Sequence, residues 1–348
     1  MLSDPITLRI TGAMVLAGDG LRARPMAIAG GVIADVADPV AEFPDHFVLP
    51  GIVDLCAGPT AGDDGAIRRL GPGAAAAGVT TLRAALRWPG EGGAEALRRD
   101  ALALAAGAGW RAIDLAPFMI LPTGETAAEG IADMIGAAGV AGLLFDAGDE
   151  ASLSPEAARA LPRRLSRLAD AAEKSALRLG SFDDRDGDTR HRLSILGARF
   201  AIAPRARSAA AVARASGEAV LAPAATALAP GPIPGRVATC DLIAQGLCNG
   251  LVSGGEGSDL ATTAFALAAS GRLGLAAAWR LISAAPAAAA GLRDRGRLAP
   301  GLRADLCVID AASGRVAMTI AAGRIVHITP EAHARMAATL PQGCCPAG

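Results

Sequence analysis

The chain has 348 residues, of which 52% are hydrophobic, and its formal net charge is −1 at pH 7. This length is enough for one large α/β domain with a smaller one attached. The near-zero charge, with no basic stripe along the chain, argues against nucleic acid or an anionic membrane as a partner.

The first residues lack a basic segment followed by an apolar run, so the sequence predicts no signal peptide. The longest uncharged stretch, residues 219–235, contains four prolines and cannot form a membrane-spanning helix. The six cysteines show no Cys-x-x-Cys spacing, and we interpret Cys344 and Cys345 as part of a frayed tail. These features predict a cytoplasmic protein.

Short strands separated by glycine turns are predicted at both ends of the chain. Residues 7–10 alternate polar and apolar side chains, and further strands follow up to residue 36. Residues 316–320 and 323–328 have the pattern of a closing hairpin. We therefore predict one small β-sandwich built from residues 1–49 and 297–330, with residues 331–348 as a C-terminal tail.

The middle of the chain, residues 50–296, alternates apolar strands with amphipathic helices about eight times. This count predicts a closed (β/α)8 barrel of the TIM type. A doubly wound open sheet is the alternative, but no Gly-x-Gly-x-x-Gly follows an early strand.

Four passages of the sequence resemble one family, the amidohydrolase superfamily of metal-dependent hydrolases. They are residues 48–55, with Leu-Pro-Gly before a buried strand, and residues 78–81, 179–184 and 294–306. The third passage, Leu-Gly-Ser-Phe-Asp-Asp, is similar to the Gly-Ser-His-Asp-Asp of the α-D-ribose 1-methylphosphonate 5-triphosphate diphosphatases of the carbon–phosphorus lyase pathway. The resemblance implies the barrel and the small β-domain predicted above.

The resemblance also implies one or two divalent metal ions, zinc or similar, held at the ends of barrel strands. Residues that cannot coordinate a metal, or do so poorly, stand at the corresponding positions: Cys56, Gly58, Phe118, Gly148, Phe182, Ile233 and Gly254. Ala229 stands where an arginine of the family is directed at phosphate. The sequence therefore predicts a vestigial site with no metal and no cofactor.

The other ligand types offer no replacement. The only lysine, Lys174, lies late in a predicted helix and not at a strand end, so we expect it on the surface. His46, His327 and His333 map to the small domain or beyond it, and His191 begins a predicted helix.

Five aspartates remain near the predicted carboxyl end of the barrel. They are Asp146, Asp183, Asp184, Asp186 and Asp188. Asp183 and Asp184 are weak candidates for binding Mg²⁺ or Ca²⁺. The alternative is that these acids mark a helix N-terminus, where negative charge is favoured.

We therefore predict a pseudoenzyme that has lost metal-dependent hydrolysis and binds a phosphorylated small molecule or a protein partner; a homo-oligomer is compatible with the sequence. One alternative is an active hydrolase of a phosphoanhydride or a cyclic amide, using residual carboxylates with a weakly bound divalent metal or chemistry at Cys56. Another is a purely structural subunit of an assembly.

Overall fold

The computed structural model describes residues 4–58, 64–87, 94–106, 113–123, 139–147, 155–228, 235–254 and 259–338. The N-terminal part consists of seven short strands: β1 (Leu8–Thr11), β2 (Met14–Ala17), β3 (Gly20–Ala23), β4 (Met26–Ala29), β5 (Val32–Ala34), β6 (Val40–Glu42) and β7 (His46–Pro50).

Eight parallel strands follow and pair in chain order. They are β8 (Ile52–Ala57), β9 (Val79–Arg87), β10 (Asp114–Pro122), β11 (Gly142–Asp146), β12 (Arg178–Phe182), β13 (Phe200–Ile202), β14 (Ala219–Pro223) and β15 (Gly250–Val252). Gly254 N donates to the carbonyl of Cys56 at 3.0 Å, which joins the last strand to the first. The sheet is thus a nearly closed (β/α)8 barrel, as the sequence predicts.

The helices of the described residues are α1 (Asp64–Ala76), α2 (Ala94–Ala106), α3 (Pro155–Lys174), α4 (Gly187–Ile195), α5 (Arg207–Ala215), α6 (Thr239–Ala244), α7 (Leu260–Ala269), α8 (Leu275–Arg280), α9 (Ala284–Ala289) and α10 (Pro330–Ala337). In α3, Leu161, Leu165, Leu168 and Ala172 are buried on one face, at the spacing that a helix needs to cover a sheet. No helix among the described residues is long and apolar enough to cross a membrane.

The last three strands are β16 (Leu306–Asp310), β17 (Val316–Ala321) and β18 (Arg324–Ile328). They join the N-terminal strands in a six-stranded sheet of order β18-β17-β16-β7-β2-β3, which faces a four-stranded sheet of order β5-β4-β1-β6. Apolar residues of both sheets form one core. The small β-domain is therefore built from both ends of the chain, as predicted.

The predicted tail starts with structure that the sequence analysis missed. Helix α10 begins at Pro330, and its Ala332 and Met336 pack on the core of the small β-domain. Thr329 caps the helix by accepting a hydrogen bond from Ala332 N. Residues 331–338 thus belong to the small domain, whereas Cys344 and Cys345 lie outside the described residues.

An ion-pair cluster joins the barrel to the small β-domain. Asp114, the first residue of β10, lies 2.9 Å from Arg83, 2.6 Å from Arg295 and 3.5 Å from Arg303. Partial burial acts to raise the pKa of Asp114, but the hydrogen bonds and charges of Arg83 and Arg295 outweigh it and lower the pKa to about 2. This carboxylate therefore ties the start of β10 and the middle of β9 to the segment that re-enters the small domain.

Candidate functional site

The carboxyl ends of β8–β15 and the residues directly after them form what we call the barrel mouth, where enzymes with this fold carry their active sites. β11 ends at Asp146, which pairs in register with Phe182 at the end of β12. Arg87, the last residue of β9, forms an ion pair with Asp146, and its guanidinium carbon lies 5.2 Å from the centre of the Phe182 ring. Arg87 thus binds a carboxylate and an aromatic face at once.

Asp183 follows Phe182 directly and pairs with two arginines. Its φ of 63° is left-handed, a conformation that aspartate tolerates better than most residues. Its carboxylate accepts from Nε and Nη2 of Arg205, at 2.8 and 2.5 Å, and lies 2.6 Å from Nη1 of Arg236. The carboxylate is buried, whereas the Arg205 and Arg236 side chains are 40% and 37% exposed. Positive charge therefore faces the solvent here.

Asp184 makes a different set of contacts from its neighbour. Its carboxylate is buried, accepts from the Ser181 hydroxyl at 2.6 Å and lies 3.5 Å from Arg190. Asp186 caps helix α4 by accepting from Thr189 N at 2.8 Å, and Asp188 lies in the first turn. For Asp186 and Asp188 the helix N-terminus interpretation is thus confirmed. Asp183 and Asp184 thus contact different side chains.

The first strand and the residues after the last strand meet around Asp54, which is buried in the barrel wall. One of its carboxylate oxygens accepts from the backbone N–H of Cys56 at 3.1 Å and of Ser253 at 3.2 Å. Burial raises the pKa of Asp54, and the hydrogen bonds from Ser253 and Cys56 act against that rise. Asp54 thus joins the backbone of the two strands that close the barrel.

Cys56 is buried and unsuited to act as a nucleophile. Burial and the charge of Asp54 raise the pKa of its thiol to about 12, although the charge of Arg87 acts in the opposite direction. Because the thiolate is the reactive form, this position argues against the alternative of chemistry at Cys56. Gly254 has a φ of 76°, which disfavours any side chain at this site.

The expectation that Phe118 occupies a strand end is wrong. The strand β10 continues beyond Phe118 to Pro122, and Phe118 pairs in register with Gly142 at the start of β11. Its ring centre lies 6.2 Å from that of Phe200, at the start of β13. Phe118 therefore fills the barrel interior below the mouth.

The other residues considered as metal ligands either lie where the sequence predicts them or fall outside the described residues. Lys174 is the exposed last residue of α3, His191 is exposed on α4, and three histidines lie in the small β-domain: His46, His327 and His333. Gly58 is the last described residue before a gap. Gly148, Ala229 and Ile233 lie outside the described residues.

The described part of the mouth does not fit a divalent metal. Within it, no group of three or more histidine, cysteine, aspartate or glutamate side chains could hold a metal ion. Asp146 and Asp183 are each bound by an arginine, so a cation would have to displace a guanidinium before it could bind. The thiol of Cys56 would have to lose a proton whose pKa is about 12.

The sequence analysis missed the three arginines that define this site: Arg87, Arg205 and Arg236. For Arg87 a signal existed, since it directly follows the mostly apolar stretch of β9. Arg205 lies three residues after β13, and the sequence alone does not bring it next to Asp183. Arg236 lies far from both in the sequence.

A parallel eight-stranded barrel with a small β-sandwich built from both termini is the architecture of the amidohydrolases. Among the solved structures with this fold are β-aspartyl dipeptidase from Fervidobacterium islandicum AW-1, N-acetyl-D-glucosamine-6-phosphate deacetylase from Mycobacterium smegmatis and dihydropyrimidinase from Brevibacillus agri. Their TM-scores are 0.69, 0.68 and 0.66, and their identities 15%, 20% and 13%. The alignments cover 93%, 92% and 93% of this chain and 97%, 100% and 95% of those chains.

At these identities the similarity shows the fold alone. These solved structures are members of the amidohydrolase superfamily. No protein-family model matches the chain, and no curated protein matches it in sequence.

Proposed function

We propose that this chain is an amidohydrolase-superfamily protein that binds a phosphorylated small molecule at the barrel mouth and has lost the metal-dependent hydrolysis of its relatives. The observation that carries the proposal is the pairing of the mouth carboxylates with arginines: Arg87 with Asp146, and both Arg205 and Arg236 with Asp183. In a metal-dependent hydrolase such carboxylates would serve the metal.

The charges of these arginines and aspartates favour the binding of an anion. Three guanidinium groups face two carboxylates, which leaves one excess positive charge among these five residues. The arginine side chains are between 37% and 52% exposed, whereas those of Asp146 and Asp183 are about 5% exposed. Planar guanidinium groups match the geometry of phosphate oxygens and bind them with charge-assisted hydrogen bonds.

The proposed ligand class follows from the sequence. The passage Gly180–Asp184 is similar to the corresponding passage of the ribose 1-methylphosphonate 5-triphosphate diphosphatases. It includes Asp183, whose carboxylate pairs with Arg205 and Arg236. We therefore infer a phosphorylated sugar or phosphonate metabolite as the ligand. A protein partner, a homo-oligomer and a purely structural role stay predictions from the sequence.

A hydrolase with a weakly bound divalent metal is the second candidate. Asp146 ends β11 and Asp183 directly follows the neighbouring β12, so both lie at the mouth, as metal-binding carboxylates would. In this alternative Mg²⁺ would replace arginine at one of them, and a phosphoanhydride or a cyclic amide would be hydrolysed.

Two measurements on the purified protein, prepared without chelator or added metal, separate these functions. Plasma mass spectrometry counts bound metal, and calorimetry measures the binding of ribose 5-phosphate and pyrophosphate. We expect far less than one metal ion per chain and saturable binding that Arg205→Ala weakens by about tenfold or more. Arg185→Ala is the matched control, since Arg185 is similarly exposed but pairs with Asp186.

Each part of the proposal can fail on its own. A stoichiometric metal that is required for turnover of pyrophosphate or dihydrouracil would overturn the loss of hydrolysis. Absence of saturable phosphate binding, or equal binding by the Arg205→Ala and unmodified proteins, would overturn the anion site.

A further inference from the structure

A groove of about 580 Å³ lies between helices α3 and α4, at the end of the barrel opposite the mouth. Its lining comes from the second half of α3, the start of β12 and the connection from α4 to β13. We call it the α3–α4 groove. Because barrel strands begin at this end, the groove is separate from the arginines of the mouth.

Helix α3 contributes negative charge to this groove. Ser166, Asp170 and Glu173 line it at spacings of four and three residues, which places them on one side of the helix. Both acidic side chains are exposed, and neither forms an ion pair within the part of the chain that the structure describes. Their carboxylates are therefore open to a partner.

Arginines line the same groove from the strand starts. Arg199 directly precedes β13, and its exposed guanidinium has neither a hydrogen bond nor an ion pair to another described residue. Arg178 begins β12 and donates through Nε to the carbonyl of Ala290 at 3.1 Å, without a carboxylate partner among the described residues. The groove thus carries charges of both signs that do not pair with each other within one chain.

Apolar surface lies beside these charges. Ile195, the last residue of α4, lines the groove and is 73% exposed, more than any other large apolar side chain of the described residues. The half-buried Leu177, Leu179 and Leu196 line the groove with it. Apolar surface bordered by charged residues is typical of a contact between proteins.

We propose that the α3–α4 groove is the contact between two copies of this chain related by a two-fold axis. Across such an axis a patch meets itself, so each ion pair needs both its acid and its base on that one patch. The groove meets this condition, because Asp170 and Glu173 can pair with Arg199 of the partner subunit and the reciprocal pairs form at the same time. A different partner protein would need only one sign of charge here.

The contact also removes Ile195 from water, which favours association. Because the groove lies at the opposite end of the barrel, both mouths stay open in the dimer. The proposal therefore stands or falls independently of the anion site.

Sedimentation equilibrium of the full-length protein, between about 1 and 100 µM, tests the association. We expect a monomer–dimer equilibrium with a Kd in the micromolar range. Ile195→Asp and Arg199→Glu should each weaken the dimer by about tenfold or more. Arg207→Glu is the control and should leave the Kd unchanged, because Arg207 is exposed on α5 and does not line the groove.

A charge-reversal experiment tests the pairing itself. Arg199→Glu and the double variant Asp170→Lys with Glu173→Lys should each be largely monomeric, because like charges then meet across the axis. An equimolar mixture of these two proteins should form heterodimers, since every contact again joins opposite charges. Circular dichroism identical to that of the unmodified protein establishes that each variant is folded.

Three outcomes overturn the proposal. A monomer over the whole concentration range would remove the interface. A dimer that Ile195→Asp and Arg199→Glu leave intact would lie on another face of the molecule. Monomers in the equimolar mixture of the two folded charge variants would contradict the reciprocal pairing.

Discussion

Arg190 and Glu218 form a buried ion pair behind the barrel mouth, with 2.8 Å between Nη2 and Oε2. The same guanidinium donates hydrogen bonds to the Ser181 hydroxyl at 2.5 Å and to the carbonyl of Ala198 at 2.7 Å, and it lies 3.5 Å from Asp184. The group joins β12, α4 and the start of β14. It therefore fixes the segment that carries Asp183 to the mouth.

Replacing Arg190 should destabilise the fold strongly. Arg190→Met leaves two buried carboxylates, Asp184 and Glu218, without their cation, a type of change that costs about 3–5 kcal/mol. Urea denaturation measures the free energy of unfolding. Arg207→Met, at an exposed position on α5, should change it by less than about 0.5 kcal/mol. A loss of under about 1 kcal/mol for Arg190→Met would contradict the structural role.

Asp183→Asn should strengthen phosphate binding. Asparagine also tolerates a left-handed φ, so the backbone should keep its conformation. The substitution removes a negative charge next to Arg205 and Arg236, and we expect the affinity for ribose 5-phosphate to rise roughly threefold to tenfold. Calorimetry at low salt measures this. A metal-binding role for Asp183 predicts the opposite, namely loss of ligand and metal together.

The contribution of Asp114 to the free energy of unfolding should depend on pH. Its pKa in the folded protein is about 2, below the ordinary value of 3.8, so its ionised form stabilises the fold. This stabilisation, roughly 2 kcal/mol, is complete above about pH 5 and declines as the pH falls toward 2. The difference in unfolding free energy between the unmodified protein and Asp114→Asn should therefore shrink between pH 5 and 3. A difference in unfolding free energy that stays constant over this pH range would contradict the lowered pKa of Asp114.

Cys56 should resist alkylation in the folded protein. With a pKa of about 12, roughly one thiol in 10⁴ is ionised at pH 8, against about a quarter of ordinary cysteines. Iodoacetamide labelling followed by peptide mass spectrometry should show Cys240, which is less buried, modified well before Cys56. Rapid labelling of Cys56 under native conditions would reveal a reactive thiol and revive the alternative of cysteine chemistry.

The sequence was sufficient for the architecture because the architecture rests on local patterns. The Leu49-Pro50-Gly51 motif and the buried run after it mark the passage into the barrel, and β8 is buried at all six positions. The alternation of strand and helix predicted the barrel count. The helix at Pro330 was missed because its apolar face is short, with Ala332 and Met336 as its buried residues.

The site was less predictable because its contacts are not local. Arg236 reaches Asp183 across more than fifty residues, and no spacing in the sequence reports that pairing. Phe118 was expected at a strand end, but β10 continues past it to Pro122. Because a buried strand is apolar along its whole length, its sequence does not show which of its residues reaches the mouth.

The pairing of β7 with β16 has a consequence for how the protein is made. Leu49 and Cys307 are adjacent in this sheet but 258 residues apart in the chain. At a synthesis rate of about 5–20 residues per second, β7 leaves the ribosome roughly 13–50 s before the strand that covers its edge. During that interval an apolar strand edge is open to other nascent chains, so early chaperone contact should favour correct folding.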